Sequence, residues 1–255
     1  MSNEQIVINN LLISYLKSET AGPQCLLFLH GWRSNKEVWA GAIELISRSA
    51  DKPISCYAID LPGFGKSETP RKAMTVGNYA AVVAEFIEKL QLKNLVIVGH
   101  SFGGRVGIKL AASRPQVISK LVLVDSAGFV ASSFKKTLMG IVAKILKPFF
   151  QPKFMQGLRQ KIYQLIGAED YLATPELQRT FLEVTAEDLS ADMKKIICPT
   201  LIINGENDND TPVKFGRRMQ SLISNSKFVT LKNAGHFSFL DQSGEFVKNL
   251  TGFIL

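Results

Sequence analysis

Two hydrophobic rhythms alternate along this chain. QCLLFL (24–29) is a short, nearly continuous apolar run; PISCYAID (53–60), residues 95–98 and KLVLVDS (120–126) have apolar centres, and PTLIING (199–205) and KFVTLKN (227–233) read as two more strands. Continuous apolar runs of this kind predict strands covered on both faces. Between them, apolar residues recur every three or four positions. In TVGNYAAVVAEFIEKLQL, the residues Tyr79, Val82, Val83, Phe86, Ile87 and Leu90 form one helical stripe. Helical spacing also marks 36–50, Phe102 to about Ser113, 214–223, and a last segment from about Asp241 to the end. Near the N-terminus, IVINNLLISYLKS predicts two strands turned at Asn9-Asn10, because asparagine tolerates the left-handed backbone of a tight hairpin. From Gly128 to Ala191 the alternation stops, with no strand signal and several helical patterns.

Strand alternating with helix implies an α/β fold: a mostly parallel, eight-stranded, doubly wound sheet with an antiparallel hairpin at its edge. The interruption is expected to be an inserted helical cap, so that residues 1–127 and 192–255 together make the core and 128–191 the cap. At 255 residues and 46% hydrophobic, the chain is long enough for one such domain with a sizeable core. MSNEQIVINN lacks the apolar segment of a signal peptide, and no apolar run is long enough to span a bilayer, so a soluble cytoplasmic protein is expected. Cys25, Cys56 and Cys198 form no CxxC motif and read as free thiols in a reducing compartment. The net charge of +8 comes without a nucleic-acid-reading element, so no nucleic-acid partner is expected.

The chemistry starts at Gly99-His100-Ser101-Phe102-Gly103, a G-x-S-x-G corner between a strand and a helix. Such a turn pushes a serine hydroxyl out of the sheet edge and aims a helix N-terminus at whatever the serine attacks. A hydroxyl is a poor nucleophile until a base takes its proton. The chain offers only His30, His100 and His236. His100 adjoins the serine and should point away from it. His30 ends a strand. His236, in the NAGHFSF loop after the last strand, is the favoured base. The acid that orients it is sought in IINGENDNDTP, which carries Glu206, Asp208 and Asp210. Asp208 is favoured, with Asp125 at the end of LVLVD as the other candidate, because the order Ser, Asp, His fits this kind of turn.

The segments LFLHGW, AIDLPGFGKSETP, GHSFGG, LVLVDSAG, PTLIINGENDNDTP and NAGHF, in this order, resemble the landmarks of the α/β-hydrolase superfamily. The resemblance covers the chain except the cap. It implies a catalytic set of Ser101, Asp208 and His236, with the backbone N–H groups of Trp32 and Phe102 as the oxyanion hole. DLPGFGKS reads as a glycine-permitted loop beside the site. Its G-F-G is not a dinucleotide fingerprint, and no metal or cofactor is expected. A serine hydrolase acting on a carboxylic ester or thioester follows. A carbon–carbon bond hydrolase, a perhydrolase, or a non-catalytic binding protein on the same fold are the alternatives. Dehalogenases and epoxide hydrolases share the fold but use an aspartate nucleophile, against which Ser101 argues.

The cap sequence adds a hint about substrate. Between 131 and 168 stand Lys135, Lys136, Lys144, Lys147, Lys153, Arg159 and Lys161, with no acidic residue. Phe134, Leu138, Ile141, Val142, Ile145, Leu146 and Phe149 form an apolar stripe at helical spacing. An apolar acyl or aromatic group under the stripe fits this pattern. The basic residues read either as a solvated face or as a surface for an acidic carrier protein or an anionic surface. HGWRSNKEVW with DLPGFGKS is similar to the pimeloyl-acyl-carrier-protein methyl ester esterases, which receive an acidic carrier on a basic cap.

Overall fold

The computed structural model describes residues 1–49, 52–130 and 173–255. Its eight strands are β1 (Ser2–Ile8), β2 (Leu11–Lys17), β3 (Gln24–Leu29), β4 (Ile54–Ile59), β5 (Leu95–His100), β6 (Ile118–Val124), β7 (Thr200–Gly205) and β8 (Ser226–Leu231). They form one sheet in the order β1-β2-β4-β3-β5-β6-β7-β8. β1 and β2 pair antiparallel, β2 meets β4 antiparallel, and every remaining pair is parallel. This is the predicted α/β architecture with its edge hairpin. Asn9 and Asn10 make the turn with φ of 48° and 62°, the left-handed pair that matches strand twist in a two-residue hairpin.

The period-2 rule decides which core each strand residue enters. Leu27, Leu29, Leu95, Ile97, Leu121 and Leu123 face one apolar cluster, with α2 (Val76–Lys89) and α3 (Phe102–Ser113). Their neighbours Leu26, Phe28, Val96, Val98, Val122 and Val124 face the other, with α1 (Ala40–Ser49) and the C-terminal helix Ser243–Ile254. Because helices cover both faces, these strands show no polar alternation, as the runs of apolar residues predicted. Cys56 and Cys198 are buried and Cys25 is half-buried; all three are free thiols.

Three elements differ from the sequence pattern. KEVW forms a 3-10 turn (Lys36–Trp39) before α1 rather than the first turn of one helix. β5 extends past residue 98 to His100, up to the corner. The last helix, expected from about Asp241, spans Ser243–Ile254, and a short turn Ser238–Asp241 that the pattern did not give precedes it, with Gln242 between them outside helical geometry at φ −131° and ψ 52°. At the C-terminal end of the expected insertion the described residues form a 3-10 turn Pro175–Leu177 and helices Gln178–Ala186 and Ser190–Met193, the last running past its expected boundary at 191. The basic stretch from Lys135 to Lys161 and the apolar stripe from Phe134 to Phe149 lie outside the described residues. Among the described residues, no helix is long and apolar enough to cross a membrane.

Candidate active site

The parallel strands end in register, so the loops after them converge on one edge of the sheet. Leu29 lies beside Gly99, His100 beside Val124, and Gly205 beside Leu231. At the corner, Ser101 takes φ 50° and ψ −110°, a strained conformation for a residue with a side chain. The strain persists because the surroundings leave no alternative. A Cβ on Gly99 would stand 2.5 Å from the Gly103 carbonyl oxygen, and one on Gly103 would overlap the carbonyl oxygen of Leu29. The Ser101 N–H donates to Val124 O at 3.1 Å, stitching the corner to β6.

His236 and Asp208 meet this serine from two other loops. His236 Nε2 lies 3.1 Å from Ser101 Oγ, and its Nδ1 lies 3.0 Å from Asp208 Oδ2. The carboxylate accepts at Nδ1, so the proton sits there and Nε2 is free to accept from the serine hydroxyl. Asp208 is held by its own loop: Oδ1 accepts the N–H groups of Asp210 and Thr211 at 2.8 and 3.0 Å. The Thr211 hydroxyl lies 2.6 Å from Asp208 Oδ2 and 2.9 Å from the Asp125 carbonyl; its single proton serves one of them at a time.

The electrostatics follow from burial set against partners. Burial pulls the His236 imidazolium down, but the hydrogen bond and charge of Asp208, helped by Asp210 and Asp125, outweigh it and leave its pKa raised. Burial likewise pushes Asp208 up, while hydrogen bonds from His236 and Thr211 more than reverse this and hold it below the usual carboxylate range.

The other two histidines have different tasks. His100 is buried and packs against Trp39 and Phe239, with ring centroids 6.4 and 5.1 Å away. Burial, and then the neighbouring His236, lower its pKa to about 3, so it is neutral. Its Nε2–H donates to the His236 carbonyl at 2.7 Å, while its Nδ1 is buried with no partner. His30, lowered to about 4 chiefly by burial, accepts the Leu61 N–H at Nε2 (3.0 Å) and so fastens the end of β3 to the DLPGFGKS loop.

Trp32 follows β3 through Gly31, and its indole contacts the rings of Phe64, Phe102 and Phe181 at centroid distances of 4.9, 5.2 and 5.3 Å. Phe102 opens α3, so its N–H is among those a helix leaves without an internal acceptor. A Cβ on Gly31 would stand 2.8 Å from His100 Nδ1 and 3.3 Å from Ser101 Cβ, so this turn runs directly past the corner.

Sequence reasoning missed Lys36. It is 1% exposed, and its Nζ sits 2.8 Å from Asp60, which is 0% exposed. Asp60 also accepts the N–H groups of Lys36 and Lys66, at 2.7 and 2.9 Å, and so binds the DLPGFGKS loop to the turn after Trp32. A buried lysine carries no local signal, since lysine in sequence reads as surface. Asp125, the alternative acid, has both carboxylate oxygens occupied by Gly205 and Ser238, while the imidazole of His236 meets Asp208. Ligand atoms of Asp208, Asp210 and His236 lie within 4.8 Å of one another. A cation there would have to displace the Asp208–His236 hydrogen bond.

A family model described as "Alpha/beta hydrolase family" matches residues 26–249. An uncharacterized hydrolase, YugF, of Bacillus subtilis is 28% identical over 250 residues, covering 91% of this chain and 90% of its own length. A pimeloyl-[acyl-carrier protein] methyl ester esterase of Nitrosospira multiformis is 25% identical over 262 residues, covering 94% and 97%. The solved esterase EaEST of Exiguobacterium antarcticum superposes with a TM-score of 0.79 at 22% identity, covering 99% of both chains, a likeness of fold. From the family match over residues 26–249, together with the sheet order and strand register, the chain belongs to the alpha/beta hydrolase family.

Proposed function

We propose that this hydrolase-family protein cleaves a carboxylic ester or thioester through Ser101, His236 and Asp208. The observation that carries the reading is the unbroken chain of hydrogen-bonding atoms from Asp208 Oδ2 through His236 to Ser101 Oγ, at 3.0 and 3.1 Å. His236 Nε2 takes the hydroxyl proton as Ser101 Oγ bonds to the carbonyl carbon. The oxyanion accepts the N–H groups of Trp32 and Phe102, donors of a kind typically worth about 3 kcal/mol each. The leaving group departs with the proton from His236. Water, deprotonated by the same imidazole, then attacks the acyl-enzyme and releases the acid and the free serine.

An apolar acyl or aromatic group is favoured by the aromatic cluster of Trp32, Phe64, Phe102 and Phe181. In this reading Phe181, from the described end of the expected 128–191 cap, joins that cluster. The likeness to a pimeloyl-[acyl-carrier protein] methyl ester esterase favours an acyl ester delivered on an acidic carrier, with the basic residues 135–161 as the receiving face.

A panel of p-nitrophenyl esters of rising chain length, run beside thioesters and amides, tests this reading. Ester or thioester turnover that disappears in Ser101→Ala, with wild-type folding, is the expected result. Undiminished turnover in that variant overturns it.

A further inference from the structure

The end of β6 and the residues just after it reach each of the three segments that carry the candidate relay. Val124 O accepts the Ser101 N–H at 3.1 Å, and the Ala127 N–H donates to Ser101 O at 3.2 Å. Between these two contacts to the serine corner stands Asp125, fully buried and held at φ 45°, a left-handed backbone uncommon for aspartate. Its N–H donates to Ile203 O of β7 at 2.8 Å. Its side chain then divides between the last residue of β7, just before the acid-bearing loop, and Ser238, just after the base-bearing loop. Oδ1 accepts the Gly205 N–H at 2.7 Å, three residues before Asp208. Oδ2 accepts both the N–H and the hydroxyl of Ser238, at 3.0 and 2.6 Å, two residues after His236.

We infer that Asp125 is a positioning residue of the proposed hydrolytic site, a clamp that joins the acid-bearing loop to the base-bearing loop at a fixed distance. The inference rests on the Ser101, His236 and Asp208 reading and deepens it.

The physical case is one of geometry. His236 Nδ1 must stay near 3 Å from a carboxylate on one loop while Nε2 faces a hydroxyl on a third segment. The β7 and β8 loops also meet directly, the Asn207 N–H donating to Ala234 O at 2.8 Å and the Asn233 N–H to Glu206 Oε2 at 3.2 Å, but neither contact holds Ser238, which follows the base. Asp125 bridges them with one rigid, planar group, over sequence separations of 80 and 113 residues. An amide of the same shape cannot do this. It has one acceptor oxygen, so its NH2 must face either the Gly205 N–H or the Ser238 donors. His100 holds the remaining flank through the His236 carbonyl.

The test uses Asp125→Asn and Ser238→Ala in the full chain. The expected result for Asp125→Asn is a fall in kcat of about 10- to 100-fold with little change in KM, as misplacement of reacting groups by about 1 Å produces. Ser238→Ala keeps one of the two donors to Oδ2 and should show a smaller fall of the same kind. The His236 imidazole, followed by NMR in resting protein, should titrate at lower pH in Asp125→Asn. The variant weakens its hold on Asp208 and removes one of the carboxylates around it, leaving Asp208, Asp210 and neutral His100. Folded variants with wild-type kcat and unchanged His236 titration overturn the clamp. The NMR readout needs no turnover, so wild-type protein that lacks esterase activity refutes the proposed reaction and leaves the clamp testable by itself.

Discussion

Consider Asp60→Asn. The wild-type pair is dry: Lys36 and Asp60 side chains are 1% and 0% exposed, with Nζ and Oδ2 2.8 Å apart. Removing only the negative partner leaves an ammonium whose remaining counter-charge among the described residues is Glu37, half-exposed and 3.6 Å away. Breaking a buried pair in this way costs about 3–5 kcal/mol. The new amide can still accept one of the two backbone N–H groups that Asp60 now accepts, from Lys36 and Lys66, so their loss adds at most about 1–3 kcal/mol. Lys36→Met should cost less, because the Asp60 carboxylate keeps both backbone donors. In the double variant no charge is buried, so the losses should fall short of the sum by about 2 kcal/mol. Urea unfolding of the four proteins, with equal m-values, measures this coupling. Against a typical domain stability of about 5–15 kcal/mol, the effect of Asp60→Asn is easily resolved. Additive losses within about 0.5 kcal/mol would refute the buried pair as a stabilising unit. The variant should also lower activity, because the pair fixes the DLPGFGKS loop and the turn that follows Trp32.

Asp208→Asn should lower kcat by roughly 10³- to 10⁴-fold, because the imidazole loses its orienting acceptor, and should move the acidic limb of kcat/KM to lower pH. The sign follows from His236: Asp208 raises its pKa, so without the carboxylate the base is neutral at more acidic pH. A pH–rate profile checks this, and an unmoved limb contradicts it. The same variant should lose the share of wild-type stability that is present above the unfolded pKa of Asp208 and disappears as pH falls through its lowered folded value. Gly103→Ala should abolish both activity and fluorophosphonate labelling of Ser101, because its methyl group meets backbone oxygens of Leu29 and His30 rather than a movable side chain. Wild-type labelling in that variant would show that the corner has room that the geometry denies.

Much of the fold was legible because its causes are local. Gln24–Leu29 was bounded to the residue, since an apolar run between polar flanks has one way to be buried. The Asn9-Asn10 hairpin followed from two residues that tolerate positive φ. The differences arise where a distant residue intervenes. Lys36 is drawn in by Asp60 through both its N–H and its Nζ, and the first turn there winds as 3-10 rather than α. The short turn before the last helix opens at Ser238, where Asp125 holds both the backbone and the hydroxyl. The two carboxylates Asp125 and Asp208 both follow strands; the sequence favoured Asp208 as the acid but carried no sign of what Asp125 holds. Their different uses depend on which donors reach each of them, and those donors come from other loops.

The sequence alone determined the order of strands and helices, the serine corner with its small flanking residues, and a short list of bases and acids. Periodicity and backbone permissiveness act over a few residues, and they are written into neighbouring positions. Tertiary structure alone decided which acid meets His236, which charges are buried, and what Asp125 joins. Those outcomes depend on the parallel strands ending together, which brings residues from 24 to 135 positions apart within hydrogen-bond reach.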